Sequence, residues 1–542
     1  MMFEGQKASV GIAIGSMYYL KRRKAKPGFR PVCDVREELD RVEWAIQEAV
    51  RQLEVIHAIA LEKMSDQEAH LFEVHSMMLT DIDYRASIEN IITEEQANAE
   101  YAVSKTADVF MQMFSNMDNE HMQTMATDVQ DVSGRLLDIL QGNSSFILSA
   151  NQPVIIAADD LYPSETVQLD KSLVLAFVTS GGSSNSHTAI FARNMGIPAV
   201  SAIGETIDES CNGKKAIVDG YGARVYLEPD SKTEEEWSNL YDKEKRKKAA
   251  LTALVGLPSK TLDNHEIKIL ANIGTLSDMD SVLANDAEGI GLLRSEFIFM
   301  GLKNLPTEEQ QYSIYRKIVE KMKGHRVAIR TLDIGADKQL DYFKLPQEDN
   351  PALGLRALRI CLYRPDIFVT QLKAIYRASA HGNVSIMFPM VVSLWELREA
   401  KEIAAKARAQ LKAEKIPYSE DVPIGIVIET PAAALISDKL AKESDFFSVG
   451  TNDLTQYTLA VDRYNNTVGR FTDVHHPALL KLLELTAKNA KQAGIPVGIC
   501  GELATDMELI QIFLKMGIDE LSVPPPMVLP LRQTIRKMRM ED

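Results

Sequence analysis

The sequence predicts a multidomain α/β protein: a small α/β domain interrupted by an inserted α-helical bundle, followed by a C-terminal (β/α)8 barrel. Three observations predict it. Between Asp34 and about Leu140 the apolar residues recur at helical spacing, with few glycines and no proline. Short apolar runs of strand length flank that stretch on both sides. After Leu262, eight such runs alternate with helical segments over about 280 residues, the count and length of a (β/α)8 barrel.

Composition narrows the class. At 542 residues the chain is too long for one ordinary domain, and 45% hydrophobic with 25% charged residues is a globular balance. No apolar run reaches spanning length, and Met1–Lys7 lacks a charged segment followed by an apolar core, so neither membrane insertion nor a signal peptide is expected. Cys33, Cys211, Cys361 and Cys500 are far apart and form no CxxC pair. That disfavours a disulfide framework or a zinc site and makes a cytoplasmic location the expectation. The net charge of −16 is concentrated: from Asp34 to Ser145, 23 Asp/Glu face 7 Lys/Arg, a local −16, and the rest of the chain sums to zero. Such a segment disfavours nucleic acid and anionic membranes as partners and suits a basic protein surface.

Taken in order, residues 8–20 read as a strand interrupted by glycines, with no dinucleotide fingerprint. Val35, Leu39, Val42, Ile46, Val50, Leu53 and Ile56 then mark one long amphipathic helix, and the runs from Phe72 and from Ile88 continue the bundle. Its His70, His75 and His121 read as helix-surface or interface residues. Strands resume at Val154–Ala157, Leu173–Val178, Ala216–Val218 and Arg224–Leu227. Residues 1–30 and 145–228 therefore form the α/β domain, and 31–144 the insertion. Residues 229–261 read as a charge-rich linker helix or hinge, and 262–542 as the barrel. Its strands are expected at Ile267–Asn272, Gly289–Leu293, Val327–Thr331, Val384–Phe388, Ile424–Ile428, Phe446–Val449, Val497–Ile499 and Glu520–Val523.

Two places carry chemistry. A Gly/Ser loop from Thr179 ends in His187, and an apolar-patterned helix with Ile190, Phe191 and Met195 follows at once. An imidazole at a helix N-terminus, where free N–H groups and the dipole favour an anion, suits a histidine that carries a phosphoryl group. In the barrel, Arg294 follows the second strand, Arg330 and Asp333 the third, and Glu429 the fifth. Asn452 and Asp453 follow the sixth, and Cys500-Gly-Glu the seventh. Strand C-terminal ends share one mouth, so these residues converge there. Glu429 and Asp453 suit Mg²⁺, which prefers oxygen ligands and keeps positions open for substrate phosphate. Arg294, Arg330 and Arg463 suit a planar anionic substrate. Cys500, mostly protonated at neutral pH, could donate a proton. Taken singly, each acid reads first as a solvated or salt-bridged group, each arginine equally as the partner of a structural acid, and Cys500 first as a small buried apolar side chain.

The motifs resemble one family over essentially the whole chain. They are Ser186-His-Thr-Ala-Ile-Phe-Ala-Arg, Gly289-Ile-Gly-Leu-Leu-Arg-Ser-Glu-Phe-Ile-Phe-Met and Arg330-Thr-Leu-Asp-Ile-Gly-Ala-Asp-Lys, followed by Glu348-Asp-Asn-Pro-Ala-Leu-Gly-Leu-Arg-Ala-Leu-Arg. The run from Asp445 to Arg463 and Cys500-Gly-Glu-Leu-Ala-Thr-Asp complete the set. The chain is similar to the phosphoenolpyruvate–protein phosphotransferases, Enzyme I of the bacterial sugar phosphotransferase system. The resemblance implies a phosphohistidine at His187 on a swivelling α/β domain. It implies phosphoenolpyruvate binding by Arg294, Arg330, Asn452, Asp453 and Arg463, Mg²⁺ on Glu429 and Asp453, and protonation of the enolate to pyruvate by Cys500. It also implies docking of the carrier protein HPr on the acidic helical insertion, and a homodimer formed through the barrel. The family commonly reads Gly-Gly-x-Thr-Ser-His, whereas Gly181-Gly-Ser-Ser-Asn-Ser-His is one residue longer, so this loop should differ in detail. The alternatives are an enzyme like pyruvate phosphate dikinase or phosphoenolpyruvate synthase, and a non-catalytic HPr-binding module. The first needs a large nucleotide-binding domain ahead of the histidine domain, where only about 145 largely helical residues stand. Against the second stands the intact set of His187, Glu429, Asp453 and Cys500.

Overall fold

The computed structural model describes residues 1–20, 27–63, 66–117, 120–143, 152–182, 186–204, 207–300, 302, 304–335, 342, 348–463, 465 and 467–540. It divides into two compact units, Met1–Lys247 and Lys248–Asp542.

The first unit is built on one mixed sheet of eight strands: β1 (Met2–Glu4), β2 (Gln6–Ser9), β3 (Ile12–Tyr19), β4 (Val154–Ala158), β5 (Val174–Thr179), β6 (Ala199–Ser201), β7 (Lys215–Asp219) and β8 (Arg224–Leu227). Their order is β1-β8-β7-β3-β4-β5-β6-β2. The expected strand at residues 8–20 is thus two strands, broken at Val10–Gly11, and the helical stretch leaves the sheet after β3 and rejoins it at the adjacent, parallel β4. The sheet is covered on both faces, which explains the unbroken apolar run of β4. Ile155 and Ala157 pack with Met17 and Val178 on one side, while Val154, Ile156 and Ala158 pack with Phe177 and Phe191 on the other.

The insertion is five helices, α1 (Val35–Lys63), α2 (Asp66–Thr80), α3 (Ile82–Glu95), α4 (Ala99–Ser115) and α5 (Glu120–Leu140). The stripe read from the sequence is the buried face of α1: Val42, Ile46, Leu53 and Ile56 are core residues, with Val35, Leu39 and Val50 packed against them. Asp81 starts α3 by accepting from the backbone N–H groups of Asp83 and Tyr84, which satisfies two orphan donors. His70 is exposed, as expected. His75 is not a surface residue: it is fully buried, with Nε2 3.2 Å from Asp128 Oδ1 on α5. The side chain of His121 lies outside the described part of the structure. Asp131 of α5 ties the bundle to the next helix, α6 (Pro163–Thr166), by accepting from Ser164 Oγ at 2.6 Å and from its N–H at 3.2 Å. After α7 (His187–Met195), the charge-rich α8 (Ser231–Thr252) buries none of its residues.

The second unit is a closed barrel of eight parallel strands, β9 (Lys268–Ile273), β10 (Ile290–Arg294), β11 (Val327–Arg330), β12 (Val384–Phe388), β13 (Ile424–Ile428), β14 (Phe447–Val449), β15 (Val497–Ile499) and β16 (Glu520–Val523), with β16 returning to β9. One side-chain set of each strand faces the surrounding helices in the large core, and the other faces inward. The inward set includes an apolar floor of Leu292, Met387, Val427 and Phe446, with Cys500 packed on it. Beneath lie Arg326, over the Phe446 ring, and its ion-pair partner Glu520. Part of the expected linker is fastened to the barrel. The fully buried Arg532 donates to Leu254 O at 3.1 Å, Ser259 Oγ at 3.0 Å and Asp286 Oδ2 at 2.5 Å. All four cysteines are free thiols, and among the described residues no helix is long and apolar enough to cross a membrane.

Candidate active site

In the first unit, His187 is the first residue of α7. Ser186 caps the helix, its Oγ accepting from the Ala189 N–H, and Gly196 closes it at φ 63°. The next side chain, Thr188, is buried and donates to Leu161 O at 3.3 Å, which fastens the helix start to the segment after β4. The His187 side chain and residues 183–185 lie outside the described part, so the longer loop read from the sequence cannot be placed against the imidazole.

In the second unit, alternation does the positioning. Leu292 and Arg294, Val427 and Glu429, and Gly498 and Cys500 are pairs two apart; the lower member faces the floor and the upper one the mouth. A cavity of about 410 Å³ opens there, and all seven residues expected in the barrel line it: Arg294, Arg330, Glu429, Asn452, Asp453, Arg463 and Cys500.

Their partners differ. Arg294 makes no hydrogen bond or ion pair among the described residues, so its guanidinium is available to an anion. Arg330 is buried between Glu296 Oε1 at 2.7 Å and Asp333 Oδ2 at 2.8 Å. Burial pulls its pKa down, and Asp333, Glu296 and Glu429 more than reverse that, so its charge is permanent. Asn452 is engaged with the Glu502 side chain at 3.1 Å and accepts from the Glu502 N–H at 2.9 Å. Arg463 reaches Asp453 Oδ2 at 3.4 Å.

Glu429 is 1% exposed and makes no ion pair among the described residues; its Oε1 accepts from the Met390 N–H at 2.6 Å. Desolvation first, then Asp453 and Asp333, push its pKa up to about 8. Two features press the main chain onto this carboxylate. Met390 sits at φ 55°, rare for a side chain other than glycine. At Gly450 a Cβ would lie 2.7 Å from Glu429 Oε2. The Cys500 thiol is buried 3.6 Å from Val449 O. Burial raises its pKa, against opposing pulls from Ser448 and Arg330, so it is held as the neutral acid.

The sequence reading gave no role to Glu296, Arg356, Tyr457 or Asp333. Glu296, just past β10, is fully buried under Arg330. Arg356 is inserted between Asp333 Oδ1 at 3.2 Å and Asp453 Oδ1 at 3.0 Å, and Tyr457 OH stands 3.0 Å from it. Arg356 lies inside a quoted motif, but it stands in a segment between β11 and β12 and belongs to no strand end, the one signal used. Asp333 was placed at the mouth without a role.

Comparison with known proteins covers the chain from end to end. The family model described as PEP-utilising enzyme, PEP-binding domain, matches residues 248–540. Those for the N-terminal and mobile domains of PEP-utilising enzymes match residues 4–124 and 150–222. The chain is 41% identical over 540 residues to the phosphoenolpyruvate-protein phosphotransferase of Priestia megaterium, covering 99% of this chain and 94% of that one. It is 42% identical to that of Geobacillus stearothermophilus (99% and 93% covered), and 40% identical to that of Bacillus subtilis strain 168 (99% and 95% covered). The chain therefore belongs to the phosphoenolpyruvate-protein phosphotransferase family of PEP-utilising enzymes.

Proposed function

We propose that the chain moves the phosphoryl group of phosphoenolpyruvate to its own His187 and from there to the carrier protein HPr, releasing pyruvate, as the first step of sugar uptake by the phosphotransferase system. The observation that carries the reading is the convergence, on one cavity at the C-terminal mouth of the barrel, of Arg294, Arg330, Arg463, Glu429 and a neutral Cys500.

The residues account for the chemistry. Arg294, Arg330 and Arg463 bind the carboxylate and phosphate of the substrate and hold phosphorus in line for attack. The His187 imidazole, neutral in part at pH 7, attacks phosphorus; a P–N bond forms as the P–O bond to the enol oxygen breaks. Cys500 then gives its proton to the methylene carbon of the enolate, and solvent returns a proton to the thiolate.

Mg²⁺ belongs to this reading. The donor set fits a hard cation: Glu429 is a buried carboxylate with no ion pair of its own among the described residues, its pKa raised first by burial and then by like charge from Asp453 and Asp333, so a cation would take the place of its proton. Bound on Glu429 and Asp453, the ion would neutralise charge on the phosphate and enolate oxygens. Three further assignments are supported by the family and by charge: docking of basic HPr on the acidic bundle, dimerisation through the barrel, and movement of the first unit about the α8 region, so that one histidine serves both substrate and carrier.

Incubation with phosphoenolpyruvate and Mg²⁺, then intact mass and peptide mapping at mildly alkaline pH, tests the proposal. A single acid-labile phosphate on His187, lost on adding HPr, is the expected result. A folded protein that gains no phosphohistidine refutes it.

A further inference from the structure

We propose that Arg356 is the resident cation of the carboxylate cluster: it stays on Asp453, so the enzyme captures its divalent ion together with the substrate's negative charge and only weakly without it. The inference deepens the proposed function and rests on the reading of Glu429 and Asp453 as ligands of the ion.

Both oxygens of Asp453 are already engaged by guanidinium groups. Oδ1 accepts from Arg356 Nη1 at 3.0 Å, and Oδ2 lies 3.4 Å from Arg463 Nη1. The two arginines differ in burial. Arg463 has 28% of its side chain exposed, whereas Arg356 has 4%. Arg356 is also held from behind: Nη2 donates to Asp333 Oδ1 at 3.2 Å, and Nη1 donates to Tyr457 OH at 3.0 Å, whose own hydrogen goes to Ala352 O.

The backbone closes over the arginine as well. Gly335, at φ 113°, passes so close that a Cβ there would lie 2.6 Å from Arg356 Cβ. Ala357, which follows Arg356, is held at φ 51°. A close backbone approach at Gly335 and a strained Ala357 beside one buried side chain mark a position the fold over-determines.

The consequence is electrostatic. An ion on Asp453 Oδ1 would stand a few ångströms from a fixed guanidinium, and repulsion at that range outweighs a factor of ten in affinity even with generous screening. Only additional negative charge offsets it. The substrate's phosphate and carboxylate bring that charge, and Arg294 stands ready to hold them. Arg356 is in this sense a positioning residue, acting through Asp453 on the order of binding. A purely structural role would leave the coupling between ion and substrate analogue unchanged.

The test is Mn²⁺ binding to the full chain, followed by electron paramagnetic resonance, with and without oxalate, a planar dianion that mimics the enolate. Wild type should bind Mn²⁺ at least about tenfold more tightly with oxalate than without. Arg356→Gln should bind Mn²⁺ without oxalate at least about tenfold more tightly than wild type does. Arg356→Lys, which keeps the charge, should preserve the wild-type coupling. Because Arg356→Gln takes one of its cationic partners from each of two buried acids, Asp333 and Asp453, Tyr457→Phe provides a milder variant, with an expected gain of about threefold to fivefold in oxalate-free affinity. If neither Arg356→Gln nor Tyr457→Phe gains oxalate-free affinity, Arg356 is not the resident cation. If wild type binds no Mn²⁺ even with oxalate, the assignment of Glu429 and Asp453 as ligands falls, and this proposal falls with it.

Discussion

At the level of single side chains, the roles proposed for Cys500 and Arg294 separate chemistry from binding. The thiol is buried, and burial raises its pKa, so its acid form persists to higher pH than an ordinary thiol's, near 8.5. The rate of pyruvate formation should therefore hold through neutral pH and fall only above that range. Cys500→Ala should slow pyruvate formation by about 10²–10⁴ and abolish the alkaline limb of the pH–rate profile. An unchanged profile in the variant would remove the thiol from the mechanism. Arg294 makes no hydrogen bond or ion pair among the described residues, so Arg294→Gln should raise KM about tenfold or more through the lost charged hydrogen bonds to substrate, with Tm unchanged. Residues at this scale were legible when they stood at strand ends. Glu429 and Cys500 each end an apolar run, and strand ends of a barrel face one mouth. Arg356 has no such address: only the fold brings it between Asp333 and Asp453.

At the scale of elements, the barrel strands were legible to within a residue or two, because each is a short apolar run between breakers; β12, β13, β15 and β16 match their expected limits. Met2–Glu4 and Ala199–Ser201 were missed: each is three residues long, and neither has the place in a regular strand–helix alternation that marked the equally short β14 and β15. What makes them strands is pairing: β6 lies between β5 and β2. Loops show the same dependence on context. The segment carrying Arg463, Thr472 and Val474 is pinned to the one carrying Cys500 and Glu502 by His475 Nε2, 2.5 Å from Asp506 Oδ2. The hydrogen bond to Asp506 raises the pKa of His475, with added effect from Glu508 and Asp473. For Asp506, burial works upward, and His475 more than reverses it. A raised histidine stabilises fully below its ordinary value of about 6.5 and loses that as pH rises through the shifted value. A lowered aspartate stabilises above its ordinary value of about 3.9 and loses that as pH falls through its own. His475→Ala should accordingly lower Tm most between about pH 4 and 6.5 and little at pH 9. An equal loss at both would show that the pair contributes by packing alone.

Over the whole molecule, charge and anchorage set the behaviour. The first unit carries its excess of acid on the inserted bundle, outside the sheet that holds the histidine helix. Association with a basic partner should slow steeply between 50 and 500 mM salt, as the Debye length falls from about 14 to about 4 Å, while the dissociation rate changes less. A salt-independent association rate would point to an apolar docking face. Composition made that polarity readable, because an acidic stretch needs no fold to be counted. The limit of the barrel was not readable. Leu254–Ser259 looks like linker, yet Arg532, from the far end of the chain, grips it together with Asp286. Arg532→Leu should destabilise the barrel unit by about 3 kcal/mol, seen as a lowered thermal transition, because it strips a fully buried cation from its partners.

The apolar floor under Cys500 has a consequence for traffic. Leu292, Met387, Val427 and Phe446 close the interior of the barrel beneath Cys500, so the described lining leaves the cavity open toward the C-terminal ends of the strands. On the proposed function, an acceptor that enters from that side would keep out bulk water and hold pyruvate in until it withdraws. Its withdrawal, rather than the chemistry, would then set the ceiling on turnover.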